Sequence, residues 1–432
     1  MTVPAAGGLA QRLETLWRME SPQLIARLAR MLRGDIGRAE ELVQDCWLTA
    51  WERWAVEGIP DNPAAWLTTA VRNRAVDVLR QRQRVDDQHA LWGELLHPAT
   101  PTAPDDSEAL ADDIGDDLLR LLFVACHPLL PADARVALTL RLLGGLTTAE
   151  IARAFLQAEA TIAQRIVRAK RTLAEAGIAF EVPRQAALPE RLQSVLEVIY
   201  LVFNEGYAAS SGEAWMRPAL CEEALRLARI VVQRLPAQPA ALGLLALMEL
   251  QASRSAARTD TQGAPVLLEQ QNRARWDWLQ IARGRAVLQR ALAGGGAQEP
   301  YVLQACIAEC HAQARQARQT DWPRIAALYQ QLLQVQPSPV VALNHVVAVS
   351  RADGPWQAWA LLQPLLDDPR LQTYAPLWVV RGDLLQQLGR TDDARQAFAR
   401  AAALSGNAAE RSLLRQRAGG DDSAAPLLPA SD

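Results

Sequence analysis

The segment Gly145-Leu146-Thr147-Thr148-Ala149-Glu150-Ile151-Ala152-Arg153-Ala154-Phe155-Leu156-Gln157-Ala158-Glu159-Ala160-Thr161-Ile162-Ala163-Gln164-Arg165-Ile166-Val167-Arg168-Ala169-Lys170-Arg171 reads as two short helices with a tight turn between them. Thr147 or Thr148 can cap the first helix, and Glu150 follows in its first turn, as a capping box requires. Ile151, Ala152 and Phe155 face inward from it. In the second helix Ile162, Ile166, Ala169 and Leu173 recur at helical spacing and form a stripe to bury. Gln164, Arg165, Arg168 and Arg171 fall on the opposite side. A second helix of this kind suits the major groove, with its N-terminal residues towards the bases. Alone, the segment also reads as an ordinary helical hairpin.

Upstream, helices over 118–126 and 134–143 are separated by His127-Pro128, and Gly144-Gly145 breaks the second. With the segment above they make a compact helical unit over 118–180. Residues 86–117 carry ten acidic side chains and no Lys or Arg, and read as an acidic, flexible linker. Before it lies a helix over 64–84, with Asn62 as candidate N-cap and Pro63 at the first helical position. Its Trp66, Ala70, Val71, Val78 and Leu79 point to a core, while Asn73, Asp77, Arg80 and Arg84 recur on the outer side. A solvated face is the plain reading. Arginines can also hold phosphates, and amide side chains can read base edges. A helix over 39–54 places Val43, Trp47, Ala50, Trp51 and Trp54 at three- to four-residue spacing. A first helix over 9–33 has Ser21-Pro22 as a helix start inside it.

The 432 residues suggest two or three domains. Half are apolar, and helix formers outweigh strand formers, so an all-α chain is expected. The net charge of −3 hides an uneven distribution. Residues 66–84 carry a local +4, residues 86–117 a local −10 and residues 135–171 a local +5. Five cysteines without framework spacing suit a reducing compartment. The N-terminus lacks a signal-peptide pattern. The uncharged run 235–248 is too short for a bilayer and holds Pro236 and Pro239. A cytoplasmic chain without membrane contact is expected.

Beyond residue 188 paired helices ending in Pro or Gly recur. Counting Ala375 as position 1, Trp378, Gly382, Gly389, Ala394, Phe398 and Ala401 occupy positions 4, 8, 15, 20, 24 and 27. That resembles the tetratricopeptide repeat, whose period is about 34 residues. Gly354, then Tyr329 with Pro337, then Ala224, Ala228 and Pro236 repeat parts of the pattern upstream. A helical-repeat domain over 188–418 follows, with a tail over 419–432 expected to be disordered.

Taken together the motifs are more specific. Glu40-Glu41-Leu42-Val43-Gln44-Asp45-Cys46-Trp47, then Ala65-Trp66-Leu67-Thr68-Thr69-Ala70-Val71-Arg72-Asn73-Arg74-Ala75-Val76-Asp77, then the paired helices of 145–171 occur in this order. The chain resembles the extracytoplasmic-function group of sigma-70 factors, with region 2 over 9–85 and region 4 over 118–180. Tyr200-Leu201-Val202-Phe203-Asn204-Glu205-Gly206-Tyr207 and Glu269-Gln270-Gln271-Asn272-Arg273-Ala274-Arg275-Trp276-Asp277 are similar to the subgroup with a TPR-like C-terminal extension, linked to DGPF/YCII proteins. The resemblance implies that Glu41, Leu42, Gln44 and Asp45 touch the clamp helices of the β′ subunit of core RNA polymerase. It implies that Arg72, Asn73, Arg74, Asp77, Arg80 and Arg84 bind the −10 element of promoter DNA, where an unstacked base is captured. Thr161, Gln164, Arg165, Arg168, Lys170 and Arg171 would bind the −35 element.

No nucleotide-binding loop or HExxH motif is present, so no enzyme, catalytic residue or cofactor is expected. Cys306, Cys310 and His311 read as packed core residues rather than zinc ligands. Asn204, Glu205 and Tyr207 form a helix stop, or a regulatory surface that lines a ligand or partner site where a regulatory protein could dock. Two other readings stand beside the sigma factor. One is a helix-turn-helix regulator with a helical sensor domain. The other is a TPR scaffold, which leaves both basic faces without a purpose. Removing the chain after about residue 185 is expected to change activity.

Overall fold

The computed structural model describes residues 6–93, 114–184, 186–261 and 263–419. Among the described residues the architecture is all-α, with short 3-10 turns and two isolated bridges. The chain divides into two compact units, Met1–Val198 and Ile199–Asp432.

The first unit contains α1 (Ala6–Met31), α2 (Ile36–Glu57), α3 (Pro63–Gly93), α4 (Ile114–Ala125), α5 (Ala132–Leu142), α6 (Thr148–Ala154) and α7 (Glu159–Glu175). The start expected at Ser21-Pro22 does not occur, because α1 runs through Pro22. Leu13 on one side of the proline and Leu24, Ile25 and Leu28 on the other are all buried. Their shared apolar face outweighs the single backbone bond that proline removes. A row of tryptophans ties the first three helices. Trp17 meets Trp47 edge-on at 5.3 Å, Trp47 meets Trp54 at 6.2 Å, and Trp54 meets Trp66 at 5.3 Å. Each such pair adds about 0.5–1.5 kcal/mol beyond burial and fixes α3 against α2. Asn62 accepts the Ala65 N–H at 3.0 Å, and Pro63 opens α3, as the capping pattern anticipates.

Two boundaries move. Helix α3 continues to Gly93, into the stretch read as a linker. Helix α4 begins at Ile114, so Asp117 is a buried helical residue and not linker. Arg120 donates to it at 2.7 Å and Arg30 lies at 3.5 Å, while burial still pushes its carboxyl above the usual range. Residues 94–113 of the acidic stretch and the tail 420–432 lie outside the described residues. Helix α8 (Leu188–Tyr207) was expected to open the C-terminal domain. Its first half instead packs in the first unit. Arg191 donates to the Phe123 carbonyl at 2.7 Å, and Arg135 donates to Ser194 Oγ at 2.5 Å and to Glu197 at 2.9 Å.

The second unit continues with α9 (Pro218–Arg234), α10 (Pro239–Ala252), α11 (Trp278–Ala293), α12 (Pro300–Gln313), α13 (Trp322–Val335) and α14 (Pro339–Ala352). It ends with α15 (Pro355–Leu366), α16 (Ala375–Gln387), α17 (Thr391–Leu404) and α18 (Ala408–Ala418). Proline opens α9, α10, α12, α14 and α15, where its fixed φ suits the first turn and no N–H is missed. The best-matched repeat becomes the hairpin α16–α17. A Cβ on Gly382 would lie 2.5 Å from the Phe398 ring, so only glycine lets the two helices approach this closely. The array closes on itself through Asn407. Its side-chain amide donates to the Ala209 carbonyl at 3.2 Å and the Ala214 carbonyl at 3.0 Å, and Ala408 N–H donates to the Gly212 carbonyl at 2.9 Å.

Candidate nucleic-acid interface

Helix α3 buries Leu67, Val71 and Ala75 and turns Arg72, Asn73, Arg74, Asp77, Arg80 and Arg84 to solvent. The alternation follows from helical spacing: residues three and four apart share a face. All six residues expected at the −10 element therefore stand on the outward side of one helix.

The paired helices α6 and α7 form as the sequence pattern requires. Thr147, of the two candidates, caps α6. Its hydroxyl accepts the Glu150 N–H at 3.1 Å, and Glu150 returns by accepting the Thr147 N–H at 2.8 Å. Leu156 carries φ +47° in the turn, a conformation that costs a residue with a Cβ about 1–2 kcal/mol. Helix α7 buries Ile162, Ile166, Ala169 and Leu173. Thr161, Gln164, Arg168 and Arg171 are exposed, Arg171 lying 3.5 Å from Glu175. Arg165 and Lys170 are half-buried. Arg165 pairs with Asp133 at 3.0 Å.

Lys170 is held by Glu40 of α2. Glu40 is buried and also accepts from Gln44 and from Arg141 of α5, both at 2.7 Å. One carboxylate thus gathers donors from α2, α5 and α7. Beside it Trp17 Nε1 donates to the Gly145 carbonyl at 3.2 Å, and Arg18 pairs with Glu150. The helices carrying the two basic faces are joined in one compact body.

The outer face of α2 departs from expectation. Leu42, assigned as a polymerase contact, is 0% exposed and belongs to the core with Val43, Cys46, Ala50 and Trp54. Its burial follows from those spacings, which place it on the inward stripe. Glu41 and Asp45 are exposed and Gln44 is half-buried. Leu48, 62% exposed, and Trp51, 43% exposed, stand out instead. Leu48 lies off the buried stripe, and that spacing was the available signal.

Residues 16–85 match sigma-70 region 2, residues 120–173 match sigma-70 region 4, and residues 191–292 match a family of unknown function, DUF6596. An ECF RNA polymerase sigma factor, SigL of Mycobacterium tuberculosis, is 32% identical over 164 residues, covering 37% of this chain and 88% of the relative. The chain belongs to the extracytoplasmic-function sigma factors. The family's SigK of Mycobacterium ulcerans is 31% identical over 147 residues, 34% of this chain and 75% of that one. An uncharacterised protein of Rhizobium meliloti is 44% identical over 401 residues, 92% of each chain. No solved structure matches. In this sigma factor Glu40 therefore joins region 2 to region 4.

The residues set apart as a regulatory surface are placed differently. Glu205 is buried, pairs with Arg217 and accepts the Ser210 N–H at 3.3 Å. Asn204 is half-buried, and Tyr207 is buried with the Arg258 guanidinium 3.6 Å over its ring. Helix α8 runs through all three, so the apolar run continues into this turn rather than stopping before it. Cys306 and Cys310 are buried on α12, where burial pushes both thiols up, Cys310 to about 11.

Proposed function

We propose that this sigma factor binds core RNA polymerase and directs promoter-specific initiation, with the C-terminal unit controlling that activity. The observation that supports it most is the pair of outward faces on α3 and α7. Each is basic, each carries an amide side chain, and each lies in a matched sigma region. Arg72, Arg74, Arg80 and Arg84 would hold phosphates, while Asn73 and Asp77 meet an unstacked −10 base. Gln164 and Arg168, with Thr161 and Arg171 beside them, would read the −35 element. Glu41, Asp45 and Leu48 would meet the β′ clamp helices, with Gln44 at the edge. No bond is made by these side chains; the chemistry belongs to polymerase.

Glu40 sharpens the reading. Two readers set one promoter spacing apart cannot also share a single buried carboxylate. Polymerase binding would release Lys170 from Glu40, freeing the inner edge of α7, while the Arg165–Asp133 pair stays within region 4. Control by the C-terminal unit, through the first unit, polymerase or a regulatory protein, would bias this opening. Among the described residues no helix is long and apolar enough to cross a membrane.

Run-off transcription with purified core polymerase tests the proposal. The full chain should give discrete transcripts on genomic fragments, weakened at least about tenfold by Asn73→Ala or Arg168→Ala. A truncation after Val198 keeps Arg191, Ser194 and Glu197 with the first unit, and its helicity can be checked. Changed activity supports control; unchanged activity from a folded truncation removes that part. Tight duplex binding without polymerase, and no transcripts, would favour a conventional helix-turn-helix regulator.

A further inference from the structure

The closed repeat array of the second unit surrounds a cavity of about 410 Å³, a size that suits a small organic molecule. Its wall draws on opposite ends of the unit. Tyr207 and the loop 208–210 come from the start, Arg254 and Arg258 follow α10, and Tyr329 and Val347 come from α13 and α14. Ser405 and Gly406 come from the closing segment that Asn407 pins. Both stretches singled out beyond the sigma regions reach this wall, through Tyr207 and Gln271.

The charge is unusual. Arg254 is 6% exposed and Arg258 7% exposed, and both line the cavity. Arg258 stacks on Tyr207 at 3.6 Å and donates to its carbonyl at 3.0 Å, while Arg254 lies 5.9 Å from the same ring. Among the described residues no carboxylate pairs with either. The lining holds a single acid, Glu410, whose Oε2 accepts from Ser405 Oγ at 2.6 Å. His311 beside them is neutral: burial first, then Arg254 and Arg273, pull its pKa down to about 3. His311 Nδ1, Gln271 Oε1 and Arg258 Nε have no protein partner among the described residues. Buried guanidiniums close together repel, and each has lost its water. Folding alone would favour a nearby carboxylate or an apolar replacement. Trp215, Trp322 and Tyr374 complete an aromatic wall beside this cationic end.

We infer that the cavity binds a small organic anion, its carboxylate or phosphate head on Arg254 and Arg258 and its hydrophobic body against Tyr329, Trp322 and Val347. Charge-assisted, forked donation from arginine suits both heads. The assignment does not depend on whether the first unit reads promoters.

Calorimetry on the full chain tests it, followed also by tryptophan fluorescence, since Trp215 and Trp322 line the wall. The probes are benzoate, phenyl phosphate, benzyl alcohol and inorganic phosphate. Benzoate or phenyl phosphate should bind saturably at one site, and the better of the two identifies the head. Benzyl alcohol should bind at least about tenfold more weakly. Arg258→Met should weaken the anion at least about tenfold, with Arg258→Lys between it and the parent. Val347→Trp should abolish binding by filling the cavity while leaving both arginines in place. That variant keeps the test open if Arg258→Met fails to fold. The inference is overturned if neither anion binds at millimolar concentration, or if benzyl alcohol binds as well as benzoate. Unchanged anion binding in Val347→Trp overturns it too. Inorganic phosphate binding as tightly as phenyl phosphate overturns the organic body.

Discussion

Arginine has opposite surroundings in the two units. On α3 and α7, Arg72, Arg74, Arg80, Arg84, Arg168 and Arg171 stand in solvent. Their charges keep their water until a polyanion displaces it and releases counterions, a salt-sensitive contact. In the second unit Arg254, Arg258, Arg273 and Arg417 are buried. There a guanidinium either finds compensation locally, as Arg273 and Arg417 do, or is left without a carboxylate beside the cavity, as Arg254 and Arg258 are. Arg417 has Asp383, Gln386 and the face of Phe398 at 3.9 Å. Arg273 donates to the carbonyls of His311, at 2.8 Å, and Ala314, with Trp276 at 4.5 Å. Exposure, more than residue type, decides whether a cation waits for a long polyelectrolyte or holds its own fold together.

The contrast breaks first at Arg417. Asp383→Ala leaves a guanidinium buried without its charge partner and should cost about 3–5 kcal/mol, read by urea unfolding of the full chain. A loss below about 1 kcal/mol would mean that water reaches Arg417 and the inward class is not a class. Next comes His311, whose folded pKa is about 3 against an ordinary value of 6.5. Between those values the unfolded chain holds the extra proton, so stability is complete above the unfolded value and is lost as pH falls towards the folded one. From pH 7 to pH 5 the loss should be about 2 kcal/mol, and His311→Gln should flatten that slope. An equal slope in the variant would assign the acid sensitivity elsewhere.

Smaller effects sharpen the outward side. Thr147→Ala removes the capping box of α6 and should cost about 1 kcal/mol, seen as a lower melting temperature of the first unit. Smallest is Arg72→Ala, which should change stability by less than about 0.5 kcal/mol. The same variant should lower the salt dependence of promoter-complex formation by about one unit in log–log slope. If instead it destabilises the fold without touching that slope, α3 is not a phosphate-facing helix.

Local signals determined much of this protein. The spacing of Ile162, Ile166, Ala169 and Leu173, the Thr147–Glu150 box, Asn62-Pro63 and the outward side of α3 were readable because each rests on residues within two turns of one another. The Gly382–Phe398 pair, on two helices, was readable from the fixed period of its repeat. Helix α1 was legible except at Pro22, where distant burial overrode a local stop signal. What only the tertiary structure decided lies between residues far apart in the chain. Glu40 met Arg141 and Lys170 across about a hundred residues, a pairing no periodicity encodes. The cavity and its uncompensated arginines exist only because Asn407 reaches back to Ala209 and closes the array. Sequence patterns report which face of a helix avoids water; they carry no record of what the opposite wall supplies. That is set by how the helices close, and it determines whether a charge is paired, hydrated or left for a ligand.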